Sequence, residues 1–250
     1  MTLTKNILGR FMALWGLIFF IPTMLIVYIL LLLTGLWKEP KRTRLFHGIT
    51  HVWMRLFFIF IGMRLSIKGK EHFKKGETYI VICNHSSFMD IPLTTPFIPG
   101  ANKTIAKKEL ARIPVFGMIY TRGSVLLDRK SEESRKQSFI EMKKVLEMGL
   151  HMCIYPEGTR NVTGKPLQPF HNGAFRLAKD TCKAILPAVI FNTAKVLPVR
   201  KLFFLWPVHI KMHFLEPISH DFLTMEELKQ KAFSAMEEYY IKNKTGATTY

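Results

Sequence analysis

Acidic residues are scarce in this chain. Its 250 residues carry 18 Asp and Glu against 36 Lys and Arg, a formal net charge of +18. Cysteine is scarcer still. Cys83, Cys153 and Cys182 are odd in number and none has a CxxC partner, which excludes a disulfide framework and a zinc site. All three lie in apolar contexts and read as buried thiols of a reducing compartment. No Gly-x-Ser-x-Gly elbow is present, so Ser86 and Ser87 read as caps, not nucleophiles. No second His/Asp cluster has ligand spacing, which argues against metal chemistry. The basic residues form no single tract and no nucleic-acid motif appears, so nucleic acid is set aside as a partner. Internal repeats and low-complexity segments are also lacking. What remains is unusual: a chain that is 48% hydrophobic and strongly basic. That combination suits an anionic membrane surface, or acidic ligands held at one.

The length fits one compact domain plus extra segments. Phe11 to Trp37 runs for 27 residues without a formal charge, and about 20 suffice to cross a bilayer core. A cleaved signal peptide has a shorter apolar region and a small-residue cleavage pattern, and neither is seen. Pro22 sits inside the run, a position that kinks helices. Basic residues flank both ends, so charge asymmetry does not orient a crossing. Val52 to Met63, interrupted by Arg55, reads as an interfacial helix. A span plus an interfacial helix fits this region, and so does a hairpin dipping into one leaflet. Residues 1–64 are therefore expected to anchor the chain at a membrane, 65–242 to form the catalytic domain, and 243–250 to be a flexible tail.

From about Leu65 the pattern changes. Tyr79–Cys83, Ser124–Leu127, Met152–Tyr155 and Ala184–Ile190 read as short buried strands separated by segments of helical length. Val208 to Phe214 alternates like a half-buried strand. Ser131 followed by Glu132 and Glu133 opens one helix, and the capping box Thr224-Met225-Glu226-Glu227 opens a last one. The expected fold class is α/β: a central mixed, largely parallel sheet flanked by helices, with the membrane-associated helical segment at the N-terminus.

Two motifs carry chemistry. In Asn84-His85-Ser86-Ser87-Phe88-Met89-Asp90, five positions separate His85 from Asp90. On one continuous helix that spacing turns the side chains roughly 140° apart. They meet if His85 lies in the loop after the strand, a helix begins near Ser86, and Asp90 reaches back to one imidazole nitrogen. The carboxylate then fixes the tautomer, and the other nitrogen faces a substrate hydroxyl. A packed histidine beside a capped helix is the plainer reading of that motif alone. In Tyr155-Pro156-Glu157-Gly158-Thr159-Arg160, Gly158 permits close backbone approach, Arg160 offers a phosphate-binding fork, and Glu157 can accept from a substrate hydroxyl. A polar turn with a surface ion pair is the plainer alternative there. A base without a protein nucleophile implies direct attack by a substrate hydroxyl.

From Glu77 to Pro217 the chain resembles the glycerolipid acyltransferases of the lysophosphatidic-acid acyltransferase family. Four blocks occur in the expected order. They are the Asn84–Asp90 motif; Lys107 through Ile113-Pro114-Val115-Phe116-Gly117 to Leu127-Asp128-Arg129; Tyr155–Arg160 with Pro169-Phe170 and Gly173-Ala174-Phe175; and Ile185-Leu186-Pro187. Leu126-Leu127 stands where the family commonly has Phe-Ile. The resemblance implies that His85 deprotonates an acceptor hydroxyl, which attacks an acyl thioester, and that Asp90 orients His85. Glu157 would hold the acceptor, with Gly158 and Thr159 in the same loop. Arg160, Arg129 and Lys107 would bind its phosphate, and Pro187 would shape the site wall. Arg122 is a further basic candidate, left outside the site.

The resemblance implies no cofactor and no metal. The acyl donor would be acyl-CoA or acyl carrier protein. The other expected partners are a lysophospholipid acceptor and the anionic membrane surface, at the cytoplasmic face. The expected reaction converts 1-acylglycerol 3-phosphate to phosphatidic acid. A lyso-aminolipid acceptor, a non-catalytic basic membrane-binding module and a fatty-acid-releasing hydrolase are the alternatives. Phe191 to His213 holds Lys195, Arg200, Lys201 and Lys211 and no acid, with Phe203-Phe204-Leu205-Trp206 among them. It reads either as a membrane- or carrier-docking face or as a buried strand with a basic turn.

Overall fold

Alternating inward and outward residues along short apolar runs build one seven-stranded sheet. The structure, a computed structural model, describes residues 3–244. In chain order the elements are α1 (Leu3–Leu33), α2 (Lys41–Phe60), β1 (Leu65–Lys68), β2 (Ile80–Cys83), α3 (Asp90–Phe97), β3 (Asn102–Lys107), α4 (Phe116–Arg122) and β4 (Ser124–Leu127). They continue with α5 (Glu132–Glu147), β5 (His151–Ile154), α6 (Gly173–Thr181), β6 (Ile185–Phe191), α7 (Thr193–Val196), β7 (Ile210–Phe214) and α8 (Met225–Asn243). Of the tail expected from 243 onward, Asn243 closes α8, and residues 245–250 lie outside the described ones.

The strand order is β1-β7-β6-β2-β5-β3-β4. Every pairing is parallel except that of β6 with β7. The fold is therefore α/β, with a mixed and mostly parallel sheet between helical layers. Central strands are buried on both faces, which is why they read as unbroken apolar runs. Val81 and Cys83 point into one core with residues of α1, α2 and α3; Ile80 and Ile82 point into the other with residues of α5, α6 and α8. Pro187 lies in β6 where one extra residue of the β7 chain interrupts the ladder: Ile185 pairs with Ile218, but Ala188 pairs with Phe214. A residue without an N–H is tolerated at such a bulge. Pro187 is buried in the sheet, so its expected role as a site wall is corrected; Ile190 and Phe191 line the cleft instead.

Both capped helices form as their side chains require. Ser131 Oγ accepts from Ser134 N at 3.1 Å, and Thr224 and Glu227 complete a reciprocal capping box. Other elements differ from the sequence pattern. β3 buries Asn102, Thr104 and Ala106, so its inward face is polar or small and carries no apolar alternation. Asn102 Nδ2 donates to Thr95 O at 2.9 Å, while its buried Oδ1 has no partner. β1 is a four-residue edge strand. α2 begins at Lys41, not near Val52, because its charged first turns bury Thr43 and Phe46. α1 continues through Pro22. The segment before β7 is a loop and not a buried strand: Phe204 and Leu205 are buried while Leu202 and Phe203 are exposed. Cys182 is exposed, contrary to the buried-thiol expectation, because it caps α6 in a left-handed conformation at φ 51°.

α1 and α2 form an antiparallel hairpin. Trp15 stacks on Phe60 at 4.7 Å and Phe20 on Trp53 at 5.0 Å. Gly16 faces Phe57, Ile61 and Leu205, and an added Cβ would meet them at ordinary contact distances of 3.5–3.9 Å. The outward side of the hairpin presents Phe11, Ile18, Leu25 and Ile29 of α1 with Val52, Leu56 and Ile59 of α2 as exposed apolar residues. α1 is long and apolar enough to cross a membrane by length and composition.

Candidate active site

The chain leaves β2 toward β3 on one side, and leaves β5 toward β6 on the other. β2 and β5 are neighbours, so their C-terminal ends flank the crevice where connections diverge, the usual ligand position of an open α/β sheet. His85 lies just past the end of β2 and Glu157 just past the end of β5. Asn84 extends the strand pairing with its side chain, donating from Nδ2 to Ile190 O at 3.0 Å and accepting from Ile190 N at 2.7 Å.

His85 Nδ1 and Asp90 Oδ2 are 2.8 Å apart. The same oxygen accepts from Ser86 N at 2.7 Å and Ser87 N at 2.8 Å. α3 starts at Asp90, not near Ser86 as the motif spacing suggested. The loop wraps around the carboxylate, and Asp90 is fully buried. With Nδ1 donating to Asp90, Nε2 is the nitrogen left with a lone pair. Ser87 Oγ accepts from Met89 N at 3.1 Å and donates to Leu197 O at 2.8 Å, while Ser86 Oγ lies 3.1 Å from Thr193 Oγ1.

Glu157 lines the cleft beside His85 and also engages the backbone around it. It is 2% exposed. Oε1 accepts from His85 N at 2.8 Å and Oε2 from Gln168 N at 2.9 Å. Burial raises its pKa to about 7 against the opposing pull of those two N–H donors. Each oxygen accepts one backbone N–H, so Glu157 straps the histidine loop to the loop after β5 and keeps a further lone pair on each oxygen. Asn161 N donates to His85 O at 2.6 Å and completes the strap.

Gly158 has φ 69°, and a Cβ there would stand 2.7 Å from the His171 ring and 3.7 Å from Arg129 Nη1. The glycine therefore leaves room for the His171 ring, and Arg129 lies beside the Glu157–Arg160 loop. The Arg160 guanidinium lies over the Phe88 ring at 3.6 Å, and its buried Nη1 has no partner. Thr159 is exposed in the same loop. Lys107 ends β3 opposite Leu127 and is exposed on the same edge of the sheet, but it makes no described contact with Arg129 or Arg160.

Two aromatic contacts went unassigned in the sequence although both residues stand in quoted motifs. The Tyr155 ring stacks on His85 at 4.3 Å, with its hydroxyl 2.7 Å from Thr94 Oγ1. Phe88 carries Arg160. An aromatic beside each motif residue was the available signal. A cleft of about 340 Å³ opens at His85, lined also by Asn161, Lys165, Asn192 and Lys195. The fold and this geometry are those of an α/β enzyme built around a histidine–carboxylate pair.

The comparisons with known proteins narrow that class. A family model described as Acyltransferase matches residues 64–199. A 1-acyl-sn-glycerol-3-phosphate acyltransferase of Cocos nucifera is 36% identical over 145 residues, 57% of this chain and 46% of the relative, so the match spans about half of that protein. One from Limnanthes alba is 31% identical over 205 residues, 81% of this chain and 71% of the relative. The crystal structure of the 1-acyl-sn-glycerophosphate acyltransferase of Thermotoga maritima shares the fold, with a TM-score of 0.80 at 24% identity, covering 97% of this chain and 99% of that one. The chain belongs to the acyltransferase family.

Proposed function

We propose that this protein transfers a fatty acyl chain from a thioester to the free hydroxyl of 1-acylglycerol 3-phosphate, giving phosphatidic acid. The observation that carries the reading is the 2.8 Å contact between His85 Nδ1 and the buried Asp90 carboxylate. It leaves Nε2 free to take the acceptor's proton. The acceptor oxygen attacks the thioester carbon, and the tetrahedral intermediate collapses with loss of the C–S bond. The departing thiolate takes the proton back from His85. Such base catalysis is worth about 10²–10⁴ in rate.

Arg160, with an unpartnered Nη1, and Arg129 beside Gly158 are suited to the acceptor phosphate, with Lys107 on the same edge. A pair of guanidiniums favours a phosphate over an amino-acid headgroup. Glu157, Gly158 and Thr159 form the loop that carries them, and Glu157 both positions the His85 loop and faces the cleft that would hold the acceptor. The donor is acyl-CoA or acyl carrier protein, and the reading requires no cofactor.

The working position is the cytoplasmic face of a membrane, with the hairpin seated in one leaflet. Contacts at both ends of α1 support this. Leu205 N donates to Gly9 O at 3.0 Å, and Gly35 lies against Arg122. A helix of roughly 46 Å held to the domain at both ends lies along it and does not project away. Purified protein assayed with both donors against several lysolipids tests the reaction. His85→Ala should lower transfer by about 10²–10⁴ while vesicle binding stays intact. Acceptor preference for an aminolipid, or transfer that survives the substitution, overturns it.

A further inference from the structure

A second cavity, of about 240 Å³, is lined by Glu39, Arg42, Lys103, Met118, Thr121 and Arg122. Glu39 is its only acid. Its carboxylate accepts from Arg42 Nε and Nη2 at 3.3 Å, from Lys103 Nζ at 3.0 Å and from Thr43 Oγ1 at 2.7 Å. Burial works to raise the Glu39 pKa, but the Thr43 hydroxyl and the Lys103 ammonium outweigh it and hold it at about 2. One permanent anion thus faces three cations, and 3 − 1 leaves two positive charges unmatched.

Arg122 is the cation with no direct contact to that acid. It forms no hydrogen bond or ion pair among the described residues. Burial, and then the neighbouring Arg42 charge, push its pKa down, against a weaker pull from the Glu39 carboxylate. Two guanidiniums held together in a half-buried recess leave a site short of an anion.

The cavity's place in the fold says which anion. A Cβ at Gly35 would be 3.2 Å from Arg122 Nη2, so Arg122 reaches the turn between α1 and α2. That turn exposes Leu36 and Trp37, with Lys41 Nζ 5.3 Å over the Trp37 ring. The exposed apolar side of α1 ends just before it, at Leu32 and Leu33. Tryptophan and lysine at the end of an apolar helix mark the depth of lipid headgroups. The catalytic edge is elsewhere. Lys103 stands near the start of β3 and Arg122 just before β4, whereas Lys107 ends β3 and Arg129 follows the end of β4. Four residues of strand separate Lys103 from Lys107 by about 13 Å.

We propose that this cavity is a second binding site, for the phosphate group of an anionic membrane lipid, gripped by Arg122 and Arg42. Guanidinium forks suit phosphate oxygens. A lipid bound there pins the hairpin turn to α4 and β3. It thereby fixes the tilt of the hairpin in the leaflet and the height of the catalytic edge above it.

The test is flotation of the full chain with vesicles of phosphatidylcholine alone and of phosphatidylcholine mixed with phosphatidylglycerol. Wild type should prefer the mixed vesicles. Arg122→Gln should reduce that preference by about tenfold to a hundredfold, the loss expected for a charge-assisted contact. Arg44→Gln, an exposed residue of α2 outside the cavity, should cost only the roughly fivefold of one diffuse surface charge. Arg122→Lys keeps the charge but loses the fork, and should still lower the preference; it serves if the glutamine variant fails to fold. Acyl transfer in detergent should not change in either Arg122 variant, which separates this site from the catalytic reading. Equal losses in Arg122→Gln and Arg44→Gln overturn the proposal, as does a wild type with no lipid preference. Inorganic phosphate is titrated without vesicles as the remaining arm. If it raises the Tm of wild type but not of Arg122→Gln, while vesicle preference is the same in both, the site takes free phosphate and not lipid.

Discussion

His85 is held from every side but one. Asp90 bonds its Nδ1, Glu157 accepts its N–H, Asn161 donates to its carbonyl, and Tyr155 covers a face of its ring. Ring stacking limits rotation of the imidazole, and the Tyr155–Thr94 contact anchors the tyrosine in turn. Tyr155→Phe keeps the ring and should lower kcat by less than about tenfold, the worth of one net hydrogen bond. Tyr155→Leu removes the stack and should lower kcat further with little change in acceptor KM; an equal effect of both variants would mean that the hydroxyl alone matters. Glu157 supplies a pH effect of definite sign. Its pKa is raised from 4.5 to about 7, so between those values the folded state binds more protons than the unfolded one. Its stabilising contribution is fully present below about 4.5 and is lost as pH rises through about 7. Glu157→Gln should therefore flatten the fall of Tm across that interval, and should slow the enzyme by loosening the His85 loop. A Tm profile unchanged by the substitution would remove Glu157 from the pH response.

The hairpin is the element whose placement has most consequence. Gly9 packs against the Phe204 ring so closely that a Cβ there has no room, and it abuts Leu205 N. Gly9→Leu should push the N-terminal end of α1 away from the loop before β7, at a cost of about 1–3 kcal/mol typical of overpacking, visible as a lower Tm. Leu56 is exposed on the outward side of α2. Leu56→Glu leaves the interior untouched, so Tm should hold while vesicle partition falls by about tenfold or more, the loss of one buried leucine plus the cost of placing a charge there. Partition equal to wild type would place that side of the hairpin in water. At this scale the sequence was readable where an element's own residues set it. The Ser131 cap, the Thr224 capping box and Ser124–Leu127 stand as the residues indicate. β3 was not readable, because Asn102 and Thr104 turn inward, and the partner of the Asn102 amide, Thr95 O, is supplied only by folding.

The whole molecule joins a basic surface to an apolar one. A net charge of +18 adds long-range attraction to an anionic bilayer, and that attraction is screened within about 10 Å at 0.1 M salt. Binding to anionic vesicles should therefore weaken steeply as salt rises, while binding to zwitterionic vesicles changes little; insensitivity in both would leave apolar contact as the sole anchor. The sheet topology then fixes which residues meet. β2 and β5 are adjacent although Glu157 and His85 are 72 residues apart.

Local order was decided by the sequence alone. Periodicity and caps marked helices, unbroken apolar runs marked central strands, and the His85–Asp90 and Glu157–Arg160 motifs marked the chemistry, because each depends on residues within one or two turns of one another. Everything that needed a distant partner was decided by the tertiary structure. The commitment of Glu157 to the His85 backbone, the Tyr155 cover, the Phe88 platform under Arg160 and the Arg122 recess all join segments that only strand order brings together. A carboxylate at the right motif position looks like a substrate ligand in one dimension. Two backbone donors make it a strap as well in three.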